Sequence, residues 1–279
     1  MFGRIYSKYP EILLSSFSQM HDSYKKVAKT KRINNNLFQS IYLSFFGIPE
    51  IGFQVRSLYF EKIINQKLKH RKIKSILDAG SGIGTYSFWL AKSYPKAKVY
   101  GGDIDQEKLG FSTSFAKKLN VKNISFGYLD VTRKPQGKDR YNLIVSIDVL
   151  EHIENYKKVL ENFYTLLDPG GYVYIHTPQL NQKRIFKSLQ KWEHEGHVHE
   201  GYLPQDLKKT LEQAGFKILV LKETFGFFGK LAWELNHMSF KKGFLFSGLT
   251  YPLLYVIASI DLLFDNNNGL GTAILAKKK

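Results

Sequence analysis

A chain of 279 residues is long enough for one large α/β domain with additions, and it carries 41 Lys and Arg against 24 Asp and Glu, a formal net charge of +17. It has no cysteine, which excludes disulfides, thiolate zinc sites and cysteine nucleophiles. Of the basic residues 34 are Lys and 7 are Arg, so the charge forms a diffuse field suited to an anionic membrane face rather than the bidentate contacts with which Arg reads nucleic acid.

At the start of the chain Arg4 and Lys8 precede only a brief apolar run, Ile12-Leu13-Leu14, with no small-residue cleavage site after it. No secretory signal is expected, and the reading is a cytoplasmic protein. Apolar residues at helical spacing predict helices over Glu11–Ala28, Leu37–Phe46 and Ile51–Leu68, with Gly47 and Pro49 between the last two. The basic run from Lys67 to Lys72 reads as a solvated helix end.

The stretch Ile76-Leu77-Asp78-Ala79-Gly80-Ser81-Gly82-Ile83-Gly84 then organises the rest. An aliphatic strand meets three glycines at alternate positions and passes into a helix over Tyr86–Ala91. Glycine permits φ > 0 and close approach of a ligand, and free N–H groups at the helix start favour an anion. The spacing is not the Gly-x-Gly-x-x-Gly of dinucleotide sites, and the acid Asp78 before the first glycine suits a cationic amine better than a pyrophosphate.

Strand and helix alternate from there. Lys98–Gly102 is a strand ending in Asp103-Ile104, where nucleoside-binding α/β folds place a carboxylate to accept from both ribose hydroxyls. A helix over Gln106–Leu119 and a strand over Asn123–Leu129 lead to Asp130-Val131. Tyr141–Ile147 is the fourth strand and ends in Asp148-Val149-Leu150-Glu151-His152. After an amphipathic helix over Tyr156–Leu167 and a turn at Asp168–Gly171 comes a fifth strand, Tyr172–His176. Asn181–Trp192 reads as helix, Glu193–Tyr202 as a polar loop, Pro204–Ala214 as helix and Phe216–Leu221 as the sixth strand. The alternation predicts a doubly wound, mostly parallel sheet with a ligand at the carboxyl ends of its strands, where Asp78, Asp103, Asp130 and Asp148 all stand.

An acid followed by Gly-x-Gly-x-Gly, with acids at the three following strand ends, resembles the class I S-adenosylmethionine (SAM) dependent methyltransferases over about Lys74 to Thr224. The resemblance implies a Rossmann-like sheet of seven strands whose last, Gly271–Lys277, is antiparallel and inserted beside the sixth. It implies that Asp78, Ala79, Gly80, Ser81, Gly82 and Gly84 cradle SAM, with Asp148 near the methionine amino group. Asp103 would take the ribose, Ile104 and Val131 would sandwich the adenine, and Asp130 would accept from its amino group. Residues 1–70 would form an N-terminal helical cap and residues 71–279 the methyltransferase domain.

Asp148-x-x-Glu151-His152, with His197 and His199 45 and 47 residues beyond His152, is similar to the arrangement by which ubiquinone-pathway O-methyltransferases and small-RNA 2′-O-methyltransferases bind a divalent ion. Those relatives begin with Glu, whereas this chain has the shorter Asp148. Asp148, Glu151, His152 and His197 are therefore candidate ligands for Mg²⁺, and His152, His197 and His199 candidate bases for a hydroxyl acceptor.

Residues 225–268 form an insertion before the last strand. Gly243–Ile260 within it has no charged residue and is at the lower edge of transmembrane length. Pro252 interrupts it, Asp261 and Asp265 follow, and the last strand must return to the sheet, so a hydrophobic lid or interfacial hairpin, or else an ordinary core-packing helix, is expected rather than a span. Lys230, Lys241, Lys242 and Lys277–Lys279 flank it. Tyr202, Phe225, Phe227, Phe228 and Trp233 are candidates for lining an acceptor pocket. The expected function is methyl transfer to a small-molecule or lipid-linked acceptor at oxygen, on the inner membrane face. The alternatives are a tRNA or rRNA methyltransferase, against which the absence of an Asn-Pro-Pro-aromatic fourth motif argues, and a non-catalytic membrane-associated subunit, against which the intact glycines and acids argue.

Overall fold

The computed structural model describes residues 50–135, 139–190 and 196–279. The helices expected over Glu11–Ala28 and Leu37–Phe46 lie outside them. The described chain runs α1 (Ile51–Leu68), β1 (Ser75–Ala79), α2 (Thr85–Ser93), β2 (Lys98–Asp103), α3 (Gln106–Lys118), β3 (Ile124–Tyr128), β4 (Tyr141–Ile147), α4 (Tyr156–Leu166), β5 (Leu167–Pro178), α5 (Pro204–Gln213), β6 (Phe216–Thr224), α6 (Phe227–Lys241), α7 (Phe244–Ile260) and β7 (Gly271–Lys278). One seven-stranded sheet has the order β3-β2-β1-β4-β5-β7-β6. The first five strands are parallel, and β7 lies antiparallel between β5 and β6. This is the doubly wound Rossmann-like methyltransferase sheet.

Parallel strands are buried on both faces, so their sequences are continuously apolar. The sheet divides two cores accordingly. On one face Phe60, Phe88, Trp89 and Phe115 of α1, α2 and α3 cover Ile76, Val99 and Tyr174. On the other, Leu160 and Phe163 of α4 and Leu207 and Leu211 of α5 cover Leu77, Ile144 and Val173. Phe60 meets Tyr86, Trp89 and Tyr174 edge-on, with centroids 5.0–5.3 Å apart. The final part of the expected cap, α1, is thus a layer of the sheet domain itself.

Two expectations need correction. Asn181–Gln190 is not a helix and holds only one 3₁₀ turn, Lys187–Leu189. Asn181 is left-handed (φ 60°), and the N–H groups of Ile185 and Phe186 donate to the Glu234 carboxylate instead of to a helical ladder. The turn expected at Asp168–Gly171 is absorbed into β5, where the pairing with β4 shifts between Tyr141 and Leu143 and Gly170 has φ 76°.

The insertion forms a hairpin of α6 and α7. Gly226 at the N-cap of α6 has no side chain to satisfy the orphan N–H groups there. Asp261, just after α7, does so from across the hairpin, accepting from Gly226 (3.0 Å) and Gly229 (2.9 Å) and also from Tyr59 of α1 (2.9 Å). Tyr251, Leu254 and Ala258 of α7 form a third core with Ile51, Val55 and Tyr59 of α1. The helix runs through Pro252, which has no N–H to donate. Among the described residues Phe246–Leu263 is the helical stretch long and apolar enough to cross a membrane, and 28% of it is buried in the protein.

Candidate functional site

The turn after β1 takes the left-handed conformation at each glycine, with φ 76° at Gly80, 54° at Gly82 and 78° at Gly84. A Cβ at Gly80 would lie 2.4 Å from Val149, so only glycine lets the loop close against the end of β4. At Gly82 the corresponding position faces open space. The free N–H groups expected here are used internally. Gly80 and Ser81 donate to the Gly102 carbonyl, Gly84 donates to Ser81, and Gly82 donates to Asp103 Oδ2 at 2.7 Å. One anion held by the loop is thus the protein's own, the Asp103 carboxylate. Asp78 is buried and accepts from Ser87 Oγ at 2.5 Å, and burial pushes its pKa up to about 7.

Asp103 Oδ1 accepts from the Asp105 N–H at 2.9 Å, so each oxygen of this carboxylate holds one backbone amide and keeps lone-pair capacity for one further donor. Beside it Ile104 is 65% exposed, an apolar surface with no protein cover, as an aromatic base would require. Ser81 Oγ is buried with no hydrogen-bond partner among the described residues. An open cradle at Gly82, an orphan hydroxyl at Ser81, a half-used carboxylate and an exposed aliphatic face together fit a nucleoside with a polar tail. Ala79 is fully buried beneath the loop.

Asp130 is more committed than expected. It accepts from Thr132 N–H and Oγ1 and from Arg133 Nε at 3.0 Å, contacts that hold its pKa below the usual carboxylate value. Asp130 and the half-buried Val131 also border a cavity of about 750 Å³. Its other walls include Ser75, Lys98 and Tyr141 at the amino ends of strands, so it is separate from the glycine loop.

Asp148, left-handed at φ 53°, joins two residues that the sequence reading passed over. Its Oδ2 pairs with Arg56 of α1 at 3.1 Å and its Oδ1 with His176 Nδ1 at 2.6 Å, while His176 Nε2 meets Thr224 Oγ1 at 3.0 Å. Burial alone would raise the Asp148 pKa, but Arg56 and His176 outweigh it and hold the carboxyl well below its usual range. A single Arg in the otherwise apolar face of α1, and a His closing a buried strand, were the available signals.

Of the four candidate metal ligands, Glu151, His152 and His197 come together, with one ligand atom from each lying within 4.8 Å of the others. Asp148 is not in that cluster, because Arg56 and His176 already hold its two oxygens. Glu151 Oε2 accepts from Thr177 at 3.2 Å, Oε1 has no partner among the described residues, and burial raises its pKa well above the usual value. The Glu151 carbonyl accepts from the N–H groups of Val198 and His199, tying the 196–199 loop to the end of β4 and bringing His197 edge-on to His152 at 4.8 Å between centroids. Burial lowers the His197 pKa, with the neighbouring His152 adding to the effect. His199 lies apart, with Nε2 on the Glu154 carbonyl at 3.1 Å and its ring against Tyr156 and Tyr202. Two imidazoles and one carboxylate do not fit Mg²⁺, a hard ion that takes oxygen ligands; such a set suits softer transition ions.

The aromatic residues expected to line an acceptor pocket divide. Tyr202, Phe225 and Trp233 are buried, and Tyr202 donates to the Leu150 carbonyl. Phe228 stacks on Phe264, and Phe227 is 63% exposed.

The family model for the methyltransferase domain matches residues 70–225. The ubiquinone biosynthesis O-methyltransferase of Coxiella burnetii is 27% identical over 177 residues, 59% of this chain and 70% of that protein. Two solved structures share the fold. Phosphoethanolamine N-methyltransferase 2 of Haemonchus contortus, in complex with SAM, is 18% identical with a TM-score of 0.56 over 80% of this chain and 52% of its own. An O-methyltransferase from a polyketide synthase of Brevibacillus brevis, in complex with S-adenosylhomocysteine, is 16% identical with a TM-score of 0.50 over 82% and 72%. The family match spans the glycine loop and all four strand-end acids, and the chain belongs to the class I SAM-dependent methyltransferases.

Proposed function

We propose that this enzyme methylates an oxygen of a small-molecule or lipid-linked acceptor, with His152 or His197 taking the acceptor's proton. The observation that carries this reading is the His152–His197 pair, in which His152 ends the short 3₁₀ turn that follows β4 and His197, from the 196–199 loop, meets it with ring centroids 4.8 Å apart. Bound SAM supplies a methyl group on a positively charged sulfur, and in-line transfer leaves the protein chiefly the tasks of positioning and excluding water. An oxygen acceptor must also lose a proton, for which a neutral imidazole is suited at physiological pH. His152 Nδ1 lies 2.8 Å from the Gly196 carbonyl, which can only accept, so Nδ1 carries the hydrogen and Nε2 keeps its lone pair for the acceptor. The O-methyltransferase of ubiquinone biosynthesis among the relatives supports an oxygen acceptor. The same reading places the enzyme in the cytoplasm, at the inner membrane face.

The net charge of +17 favours a second reading, methylation of tRNA or rRNA. Incubation with methyl-labelled SAM and separate lipid, hydroxylated aromatic and RNA fractions distinguishes the two. Label in the lipid or aromatic fraction, lost in the His152→Ala, His197→Ala double variant, supports the first reading. Label in RNA alone refutes it.

A further inference from the structure

We propose that the outer face of the α6–α7 hairpin is a docking surface for an anionic lipid leaflet. The hairpin begins where the family match ends, at residue 225, so the methyltransferase core does not account for it. The inner face of α7 is complete: Ser247, Tyr251, Leu254, Ala258 and Asp261 are all buried. On the opposite side Phe246, Leu249, Leu253, Val256 and Leu263 are exposed, with Leu249 at 71%, Leu253 at 66% and Leu263 at 79%. The spacing of three and four residues from Phe246 to Val256 makes one stripe along α7, and Leu263 stands two turns further on, in the short 3₁₀ turn that follows the helix. Phe264 and Phe227 extend it at the base of the hairpin, at 54% and 63% exposed. Apolar side chains exposed side by side along one helix face, rather than scattered singly, mark an interaction surface.

Charge selects the occupant. Of the three acids in residues 225–268, Glu234 and Asp261 are buried and already used, by the N–H groups of Ile185 and Phe186 and by the start of α6, and the exposed Asp265 is paired with Lys222. Lys241 and Lys242 at the tip are exposed, and Lys242 Nζ lies 5.0 Å above the Phe246 ring at the start of the stripe. The surface is therefore apolar with a cationic end, the combination that binds anionic bilayers. A second copy of this chain would bring the same two lysines and another +17 against it. The base of the hairpin follows directly on Thr224, which contacts His176 and through it Asp148, so the hairpin that carries the stripe is rooted at the candidate active site. Docking does not depend on oxygen being the methyl acceptor; only the delivery of a lipid-linked acceptor rests on the proposed function.

The test is co-sedimentation of the full chain with vesicles of phosphatidylcholine alone or mixed with phosphatidylglycerol. The expected result is binding to the mixed vesicles that weakens as salt rises from about 0.1 to about 0.5 M. Leu249→Ser, Leu253→Ser and Val256→Ser together should lower the partition coefficient by at least about tenfold. Lys241→Glu with Lys242→Glu should remove the preference for phosphatidylglycerol. Affinity for S-adenosylhomocysteine, measured on the same variants by calorimetry, should not change, which shows that they fold and separates failure of docking from failure of the methyltransferase reading. Wild-type protein that stays in the supernatant at low salt with every lipid overturns the proposal. So does vesicle binding that the serine substitutions leave intact, or a dimer in light scattering that those substitutions dissociate while no lipid is bound.

Discussion

Replacing Asp103 by Ala tests the donor site where the geometry is most explicit. A carboxylate has about four lone-pair positions, and two of these are occupied by the N–H groups of Gly82 and Asp105 at 2.7 and 2.9 Å. One position remains on each oxygen, which matches the two hydroxyls of a ribose. A hydrogen bond to a charged group contributes about 1.5–3 kcal/mol. Two such bonds, less the part that water recovers in the variant, predict a loss of about 2–4 kcal/mol, or roughly 30- to 1000-fold in affinity. Titration calorimetry with S-adenosylhomocysteine measures this directly, and Asp103→Asn, with one acceptor left, should fall between. A 2′-deoxy analogue should bind the wild type more weakly than the parent ligand but bind Asp103→Ala no worse than the parent. An affinity within about twofold of wild type in a folded Asp103→Ala protein would mean that the ribose is held elsewhere.

Asp78 has a folded pKa near 7 against an ordinary value of 3.8, so the native state binds a proton that the unfolded chain releases. Its contribution is fully present below about pH 4 and is lost as pH rises through 7, at up to about 1.4 kcal/mol per pH unit. Asp78→Asn should therefore melt progressively higher relative to wild type from about pH 4 to about 7 and by a steady margin above that, and a difference that does not change between pH 4 and 7 would refute the assignment. His152→Ala should lower kcat by about 10²- to 10⁴-fold while leaving S-adenosylhomocysteine affinity intact. Turnover should survive excess EDTA, and its loss with recovery on adding Zn²⁺ or Mn²⁺ would convert the cluster from a base into a metal site. Asp261→Ala should cost about 3–5 kcal/mol, measured by urea unfolding, because it orphans the N–H groups of Gly226 and Gly229 in a buried setting and leaves the Tyr59 hydroxyl only the longer bond to the backbone carbonyl of residue 261.

The parallel strands were legible because each reports its burial through its own residues, and the glycine loop because φ > 0 at three alternate positions leaves little choice of residue. Asn181–Trp192 misled because its competitor is remote: Glu234, about 50 residues later, takes the N–H groups of Ile185 and Phe186. Asp148 was placed correctly at the end of β4, but its partners Arg56 and His176 are 92 and 28 residues away, and no local pattern shows which carboxylate oxygen they hold. The proximity of His152 and His197 was readable as a motif. The exclusion of Asp148 from their cluster required the ion pair to be seen.

Helix α1 explains why the hairpin and the site belong to one arrangement. Its residues divide among three neighbours: Phe53, Phe60, Ile63 and Ile64 enter the sheet core, Ile51, Val55 and Tyr59 enter the hairpin core, and Arg56 faces Asp148. That is why the helix is apolar over most of its first three turns, with Arg56 the cation that faces the strand-end carboxylate and Lys62 and Lys67 on its later, more exposed part. The clasp at Asp261 bonds to Tyr59, three residues from Arg56 on the same rigid element. Tyr59 and Val55 therefore join α1 to the hairpin core, and Arg56 joins the same helix to Asp148 at 3.1 Å. The second attachment, Thr224 to His176 to Asp148, reaches the same carboxylate from the β6 end of the hairpin. Asp148 is thus the residue at which both attachments of the hairpin, through Tyr59 and Arg56 of α1 and through Thr224 and His176, meet the end of β4.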